Sequence, residues 1–583
     1  MLDLVVRGGR VVDGTGAPAV TADVGVRDGR VVAVAPLDQG GVDEPARRTI
    51  DADGLVVAPG FVDIHTHYDC QALWDPALTP SPLHGVTTVI GGNCGFSIAP
   101  LGPEHVDYVM RMMARVEGMT LESLEAGPAW DWRTFGEWLD RIDGHLSVNA
   151  GFHAGHSTIR RVVMGDAATT DAADDEQIAA MVRLLHESLD SGALGFSSSL
   201  GEAHSDGDGA PVPSRSAQPE EFLALARAVR DHAGTALEFI PAMGEISDAR
   251  IELMTGMSLA AGRPLNWNLL GSASPTPVWE QQLTASDHAA AHGAKVVALA
   301  LPDVMRIRSN RMLQSFPGWG EILALPDNER RRALQDDAVR SRLSAGMDTA
   351  RAQGVAAMLQ WDLVEVAEAT SPTTEQYVGR TIADIAASQG ADPADVLLDL
   401  VVAERLPLTT VFPSLVPTMG VTDESWEARG EVWRDDRVVL GGSDAGAHVD
   451  IMCHANYPSV VLGELVRERD LFTLEDGIRR MTDVPASLFG LRDRGRIAEG
   501  AHADLVVFDA DAIGSRPAVE RHDLPGGALR LYAEAVGIDQ VIVAGEPIVK
   551  RGVLTGAQPG TLLRSGVDTD TVTVPGPKKH GGG

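Results

Sequence analysis

The chain has 583 residues, 44% hydrophobic and 22% charged, as expected of a large globular enzyme of about two domains. Its 48 basic and 82 acidic residues give a net charge of −34, which argues against nucleic acid or an anionic membrane as a partner of the general surface, since both demand basic patches. Three scattered cysteines (Cys70, Cys94, Cys453) make no disulfide framework; with no secretion-type leader and no run of 18 apolar residues, the expected location is the cytoplasm.

Residues 2–58 carry short β-type runs broken by glycine: "LDLVVRGGRVVDG", "DVGVRDGRVVAVAPL" and "GLVVAPG". They read as hairpin strands. Similar text returns after residue 495 in "GRIAEGAHADLVVFDA" and "QVIVAGEPIVKRG". The expectation is a small β-sandwich domain formed from both chain termini, residues 1–57 plus 491–565, with 566–583 as a flexible tail ending in "VPGPKKHGGG".

Between these modules, strand text alternates with helix text. "FVDIHTH" comes first, then "TTVIGGNCGFS", "VNAGFHAGH" and "ALGFSSSL", the last following the helical "DEQIAAMVRLLHESLDSG". "TALEFIPA" follows "PEEFLALARAVRDHAG", which has Pro219 near its start and Gly234 just past its end. "PLNWNLLG", "KVVALALP" and "RVVLGGSDAGAH" complete eight strands. Strand–helix alternation implies parallel strands. An α/β fold with a closed (β/α)8 TIM-like barrel over 58–490 is expected, an open doubly wound sheet being the alternative. A long insertion, 303–436, interrupts it before the last strand. On the functional face of a barrel an insertion of that length forms a lid or pocket wall, or else a plain helical embellishment.

The chemistry gathers at strand ends. His65 and His67 lie on one face of the first strand, roughly 6.5 Å apart along it. With 17 histidines in the chain, that spacing alone proves little. Cys94 ends the second strand and Asp444 the eighth. Closure of a barrel makes these strands neighbours, so two imidazoles, a thiolate and a carboxylate converge in a set suited to zinc.

The motifs "GGRVVDGTG", "APGFVDIHTHYD", "GVTTVIGGNCGFSIAP", "GHSTIR", "SGALGFSSSL", "GSDAGAH" and "GRIAEGAHADLVVFD" occur in an order that resembles the amidohydrolase superfamily, specifically its N-acyl-D-amino-acid deacylase (D-aminoacylase) branch. The resemblance spans nearly the whole chain and thins in the insertion. It implies a metal-dependent barrel beside a β domain, hydrolysing an amide, with His65, His67, Cys94 and Asp444 around the metal. The chain departs from that pattern where the branch has a histidine on strand five and another on strand six followed by lysine. Here those strands read "TALEFIPAM" and "PLNWNLLGS", offering only Glu238, Asn266 and Asn268. One zinc ion is therefore expected, with a second left undecided.

Four protein ligands would fill a tetrahedral shell and leave no place for water. Either Cys94 or Asp444 stands off the metal, or the ion is five-coordinate; Asp444 is expected to touch it weakly or not at all in the working state and to act as the base for a metal-activated water, returning the proton to the leaving nitrogen. The resemblance implies a small N-acyl amino acid or related N-acyl compound as substrate, with His156, Arg160, Glu238, Asn268 and His448 as candidate contacts. Arg160 is singled out because a guanidinium pairs well with a carboxylate. A cyclic-amide or lactone hydrolase, a deaminase and a non-catalytic ligand-binding relative are the alternatives. The oligomeric state stays open, a homo-oligomer included.

Overall fold

The computed structural model describes residues 1–270, 278–304 and 316–576, apart from 324, 326, 353–360, 363, 367–368, 370, 404–414 and 418–422. Parallel strands alternate with helices through the middle of the chain. Phe61–Asp63, Val86–Gly91 and Asn149–Phe152 pair in parallel as one sheet. Ala154–Gly155, Gly195–Ser199, Ala236–Ile240, Leu265–Trp267, Val296–Ala300 and Val438–Leu440 pair in parallel as a second. Only His153 separates the last strand of the first sheet from the first of the second. At their far ends the sheets meet through a parallel bridge between Thr66 and Ala445, with His67 N donating to Ala445 O at 2.7 Å.

The helices begin where the sequence provides caps. Asp174 and Gln177 form a reciprocal capping box at Asp175–Asp190, and Pro219 opens Pro219–Arg230. A cluster of Val62, Ile64, Ile90, Leu194, Val297, Leu299 and Val439, drawn from strands at both ends of the run, packs against Ala486, Leu488 and Phe489. One apolar core thus serves the first and last parallel strands together.

The β domain takes its strands from both ends of the chain. Val56–Pro59 pairs with Leu2–Val11 on one side and with Leu505–Phe508 on the other. In place of two separate sandwiched sheets, nine strands hydrogen-bond as one. Leu2–Val11 makes this continuous: its first half pairs with Ala46–Asp51, and after an irregularity between Val6 and Gly9 its second half pairs with Val56–Pro59. A β-carbon on Gly9 would lie 2.4 Å from Val57 Cγ2, so only glycine fits at that switch.

The expected tail is not free along residues 566–576. Thr569 is buried and donates to Gly234 O at 2.6 Å, Thr571 Oγ1 accepts from Gly234 N, and Asp570 N donates to Gly490 O. Residues 577–583 lie outside the described residues. The insertion, so far as it is described, has its own core around Trp319, Leu343, Ile382, Ile385, Leu397 and Leu398. Residues 305–315, 353–360, 404–414 and 418–422 of the insertion, expected as a lid, a pocket wall or a plain helical embellishment, lie outside the described residues. Among the described residues no helix is long and apolar enough to cross a membrane.

Candidate metal centre

His65 and His67 follow the first parallel strand, and their backbone is gripped from both sides. Thr66 N donates to Ile90 O at the end of the second strand, while His67 N donates to Ala445 O. Both imidazoles are buried, with ring centroids 5.3 Å apart. Cys94 sits in the turn after the second strand with φ 57°, between Gly92 (φ 70°) and Gly95 (φ 78°). The turn is anchored by Asn93, whose side chain donates to Thr66 O and Ile90 O, and by Cys94 N, which donates to Glu238 Oε2 at 2.8 Å. Asp444 also has φ 57°, and its N donates to His65 O. Non-glycine residues held left-handed cost of order 1 kcal/mol or more each and concentrate at functional sites.

These turns bring the side chains to one point. Cys94 Sγ lies 3.4 Å from His65 Nε2 and 3.8 Å from His67 Nε2. Asp444 Oδ1 lies 3.4 and 3.1 Å from the same two nitrogens. Glu117, absent from the sequence-based candidates, joins them with Oε2 at 3.4 Å from His67 Nε2. Zinc bond lengths of about 2.0–2.3 Å in a tetrahedral shell put neighbouring ligand atoms about 3.3–3.8 Å apart. The residues present therefore fit a zinc-sized ion.

Electrostatics point the same way. Burial, reinforced by Glu238, Glu117 and Asp444, pushes the Cys94 thiol well up. Burial, then the negative Asp444, Asp69 and Glu238, pushes Glu117 well up, and burial takes Glu238 up to about 7. At Asp444 burial is outweighed by hydrogen bonds from His65 and His67, which hold its carboxyl well below the usual range. At His65 burial opposes protonation but Asp444 prevails and raises it, whereas burial lowers His67. Among the described residues no lysine or arginine pairs with Glu117, Glu238 or Asp444 within 4 Å. A divalent cation bound among these groups would supply a positive partner and favour their ionised forms.

The remaining candidates sort by what they touch. Glu238 braces Cys94 through its backbone, and its other oxygen is 4.0 Å from His65 Nδ1. Asn268 Nδ2 lies 3.7 Å from Cys94 Sγ as a donor to sulfur. His448 Nε2 is 3.8 Å from Asp444 Oδ2, with its side chain 29% exposed, at the outer edge of the cluster. His156 and Arg160, expected as substrate contacts, are not brought into the cluster. Both are fully buried and share Glu221 Oε1, at 2.7 and 2.9 Å, and Arg160 also donates to Ala168 O and Asp171 O. His156 completes its bonding with Ser198 Oγ. Arg160 thus donates from Nε and both terminal nitrogens to groups of the protein itself.

Sequence reasoning also missed His153, buried where the two parallel sheets adjoin, with no hydrogen-bond partner on either ring nitrogen among the described residues. Burial lowers it to about 3, so it stays neutral.

Residues 48–549 match the amidohydrolase family model. Two proteins of Alcaligenes xylosoxydans xylosoxydans are similar along their lengths. A D-aminoacylase is 30% identical over 96% of this chain and 97% of its own, and an N-acyl-D-glutamate deacylase is 29% identical over 97% and 96%. A solved D-aminoacylase structure superposes with a TM-score of 0.62 at 25% identity, covering 97% of this chain and 100% of that one. Its description speaks of a binuclear metal center with one-metal activation and second-metal attenuation. The chain belongs to the amidohydrolase family. It is a metal-dependent hydrolase of amide C–N bonds other than peptide bonds.

Proposed function

We propose that the protein hydrolyses an N-acyl amino acid or a closely related N-acyl compound at a single zinc ion, with His65, His67, Cys94 and Asp444 as the metal-binding set and Asp444 as the proton carrier. The observation that carries this reading is the spacing of the donor atoms, 3.1 to 3.8 Å between the imidazoles and their sulfur and carboxylate neighbours. The names of the two Alcaligenes relatives support N-acyl amino acids as the substrate class. The chain is read here as a closed (β/α)8 barrel over 58–490 beside a β domain of residues 1–57 plus 491–565. The Thr66–Ala445 bridge and the shared core of the first and last strands support closure.

A zinc ion bound there supplies Lewis acidity, polarising the scissile carbonyl and acidifying water. The protein's own groups do the rest. Asp444, kept ionised by His65 and His67, accepts a proton from the attacking water. Its side chain is 28% exposed while those of His65 and His67 are at most 5%, so Asp444 is the member of the set that incoming water meets. The same carboxyl then delivers the proton to the departing nitrogen, balancing the reaction as acid plus amine. Glu238 and the Asn93 side chain fix the Cys94 turn and thereby the sulfur.

The test is a panel of N-acyl-D- and N-acyl-L-amino acids set against simple lactams, with zinc added or removed by chelation. Zinc-dependent release of free amino acid is the expected result. Turnover confined to lactams, or unchanged after complete removal of metal, would overturn the proposal.

A further inference from the structure

The structure assigns Glu117 as a further metal ligand, delivered from outside the parallel strands; this rests on the zinc reading above. The key atom is His67 Nε2, which faces three acceptors at once: Asp444 Oδ1 at 3.1 Å, Glu117 Oε2 at 3.4 Å and Cys94 Sγ at 3.8 Å. An imidazole nitrogen carries one proton and can satisfy one of them. A cation at their centre satisfies all three. The ligand atoms of His67, Glu117 and Asp444 lie within 4.8 Å of one another, as do those of His65, His67 and Cys94, so the two trios meet at His67.

Glu117 is held for this task by its backbone. It follows the helix Val106–Val116, donates its N–H to Met113 O at 3.0 Å, and is succeeded by Gly118 at φ 59°, which turns the chain. Its carbonyl accepts from His448 N, tying the segment to the loop that carries Asp444. The side chain is 2% exposed, a costly place for a carboxylate without a positive partner. Glu238, on the strand Ala236–Ile240, is turned to Cys94 N at 2.8 Å. Glu117 therefore supplies from a helix end a ligand that the strands do not.

The experiment uses the full chain with Glu117→Gln, Glu117→Ala and Glu117→Asp. Zinc affinity is read by competition with a chromophoric chelator, the zinc-induced rise in melting temperature by calorimetry, and coordination by the absorption spectrum of the cobalt(II)-substituted protein. Glu117→Gln and Glu117→Ala should bind zinc at least tenfold more weakly, show a smaller zinc-induced rise, and shift the cobalt bands, with Glu117→Asp in between. Zinc affinity within twofold of the parent together with an unchanged cobalt spectrum overturns the assignment and leaves the zinc reading standing. A parent protein that binds no zinc, by contrast, overturns both.

Discussion

Replacing Asp444 with asparagine separates proton transfer from metal retention. Asparagine has the same length and tolerates the left-handed backbone found here, φ 57°, as readily as aspartate, so the turn should keep its shape. His65, His67 and Cys94 remain, with sulfur 3.4 and 3.8 Å from the two imidazole nitrogens, and they should still hold one zinc. What disappears is a carboxylate that stays ionised far below neutral pH because its two histidine partners outweigh its burial. Positioned acid–base groups contribute about 10²–10⁴ in rate, which corresponds to about 3–5 kcal/mol of transition-state stabilisation. The assay is steady-state kcat/KM on the best N-acyl amino acid, with zinc content measured on the same sample. A loss of about 10²–10⁴-fold at full zinc occupancy is expected. Activity within tenfold of the parent, zinc being full, would refute the role given to Asp444.

Arg160→Ala should destabilise the fold by about 3–5 kcal/mol, because it leaves buried Glu221 and two carbonyls short of a partner; urea unfolding measures this, and intact stability with a raised KM would restore Arg160 to the substrate. At Glu221 burial raises the carboxyl's pKa but His156 and Arg160 outweigh it and hold it below the ordinary 4.5. A depressed folded-state value means that the stabilisation is complete above the unfolded value and fades as pH falls through the folded one. The stability gap between parent and Glu221→Gln should thus narrow from about pH 5 toward about pH 3; a gap that widens contradicts the assignment. Gly95→Ala places a β-carbon 3.0 Å from the Ser198 Cα at φ 78°, which should push the Cys94 turn outward and lower zinc occupancy; full occupancy by elemental analysis counts against the packing argument.

Parallel strands were readable because each is a short apolar run set off by helix text with its own caps, such as Pro219 and the Asp174–Gln177 box. The strand-end positions of His65, His67, Cys94 and Asp444 followed from the same pattern. Glu117 was not readable: a Glu-Gly pair closing an amphipathic helix looks like a solvated terminus, and only the return of the chain onto His67 makes it otherwise. Arg160 misled for a related reason. Its partner Glu221 lies 61 residues away in sequence, so a charge that looked available was already committed. The stretch after residue 565 is rich in Gly, Asp and Thr, a composition typical of tails, yet hydroxyl bonds of Thr569 and Thr571 with Gly234 and a backbone bond from Asp570 to Gly490 fasten it.

The seam between Val56–Pro59 and Leu505–Phe508 has a consequence for biogenesis. The strand Phe61–Asp63 that leads into His65 and His67 emerges from that seam within a few residues, and Gly60 N donates directly to Asp504 O. A nascent chain therefore presents both imidazoles to the cell hundreds of residues before their foundation has been translated. A chain truncated ahead of Leu505–Phe508 would lack the strand against which Val56–Pro59 pairs, and with it the support from which the histidine-bearing segment sets out.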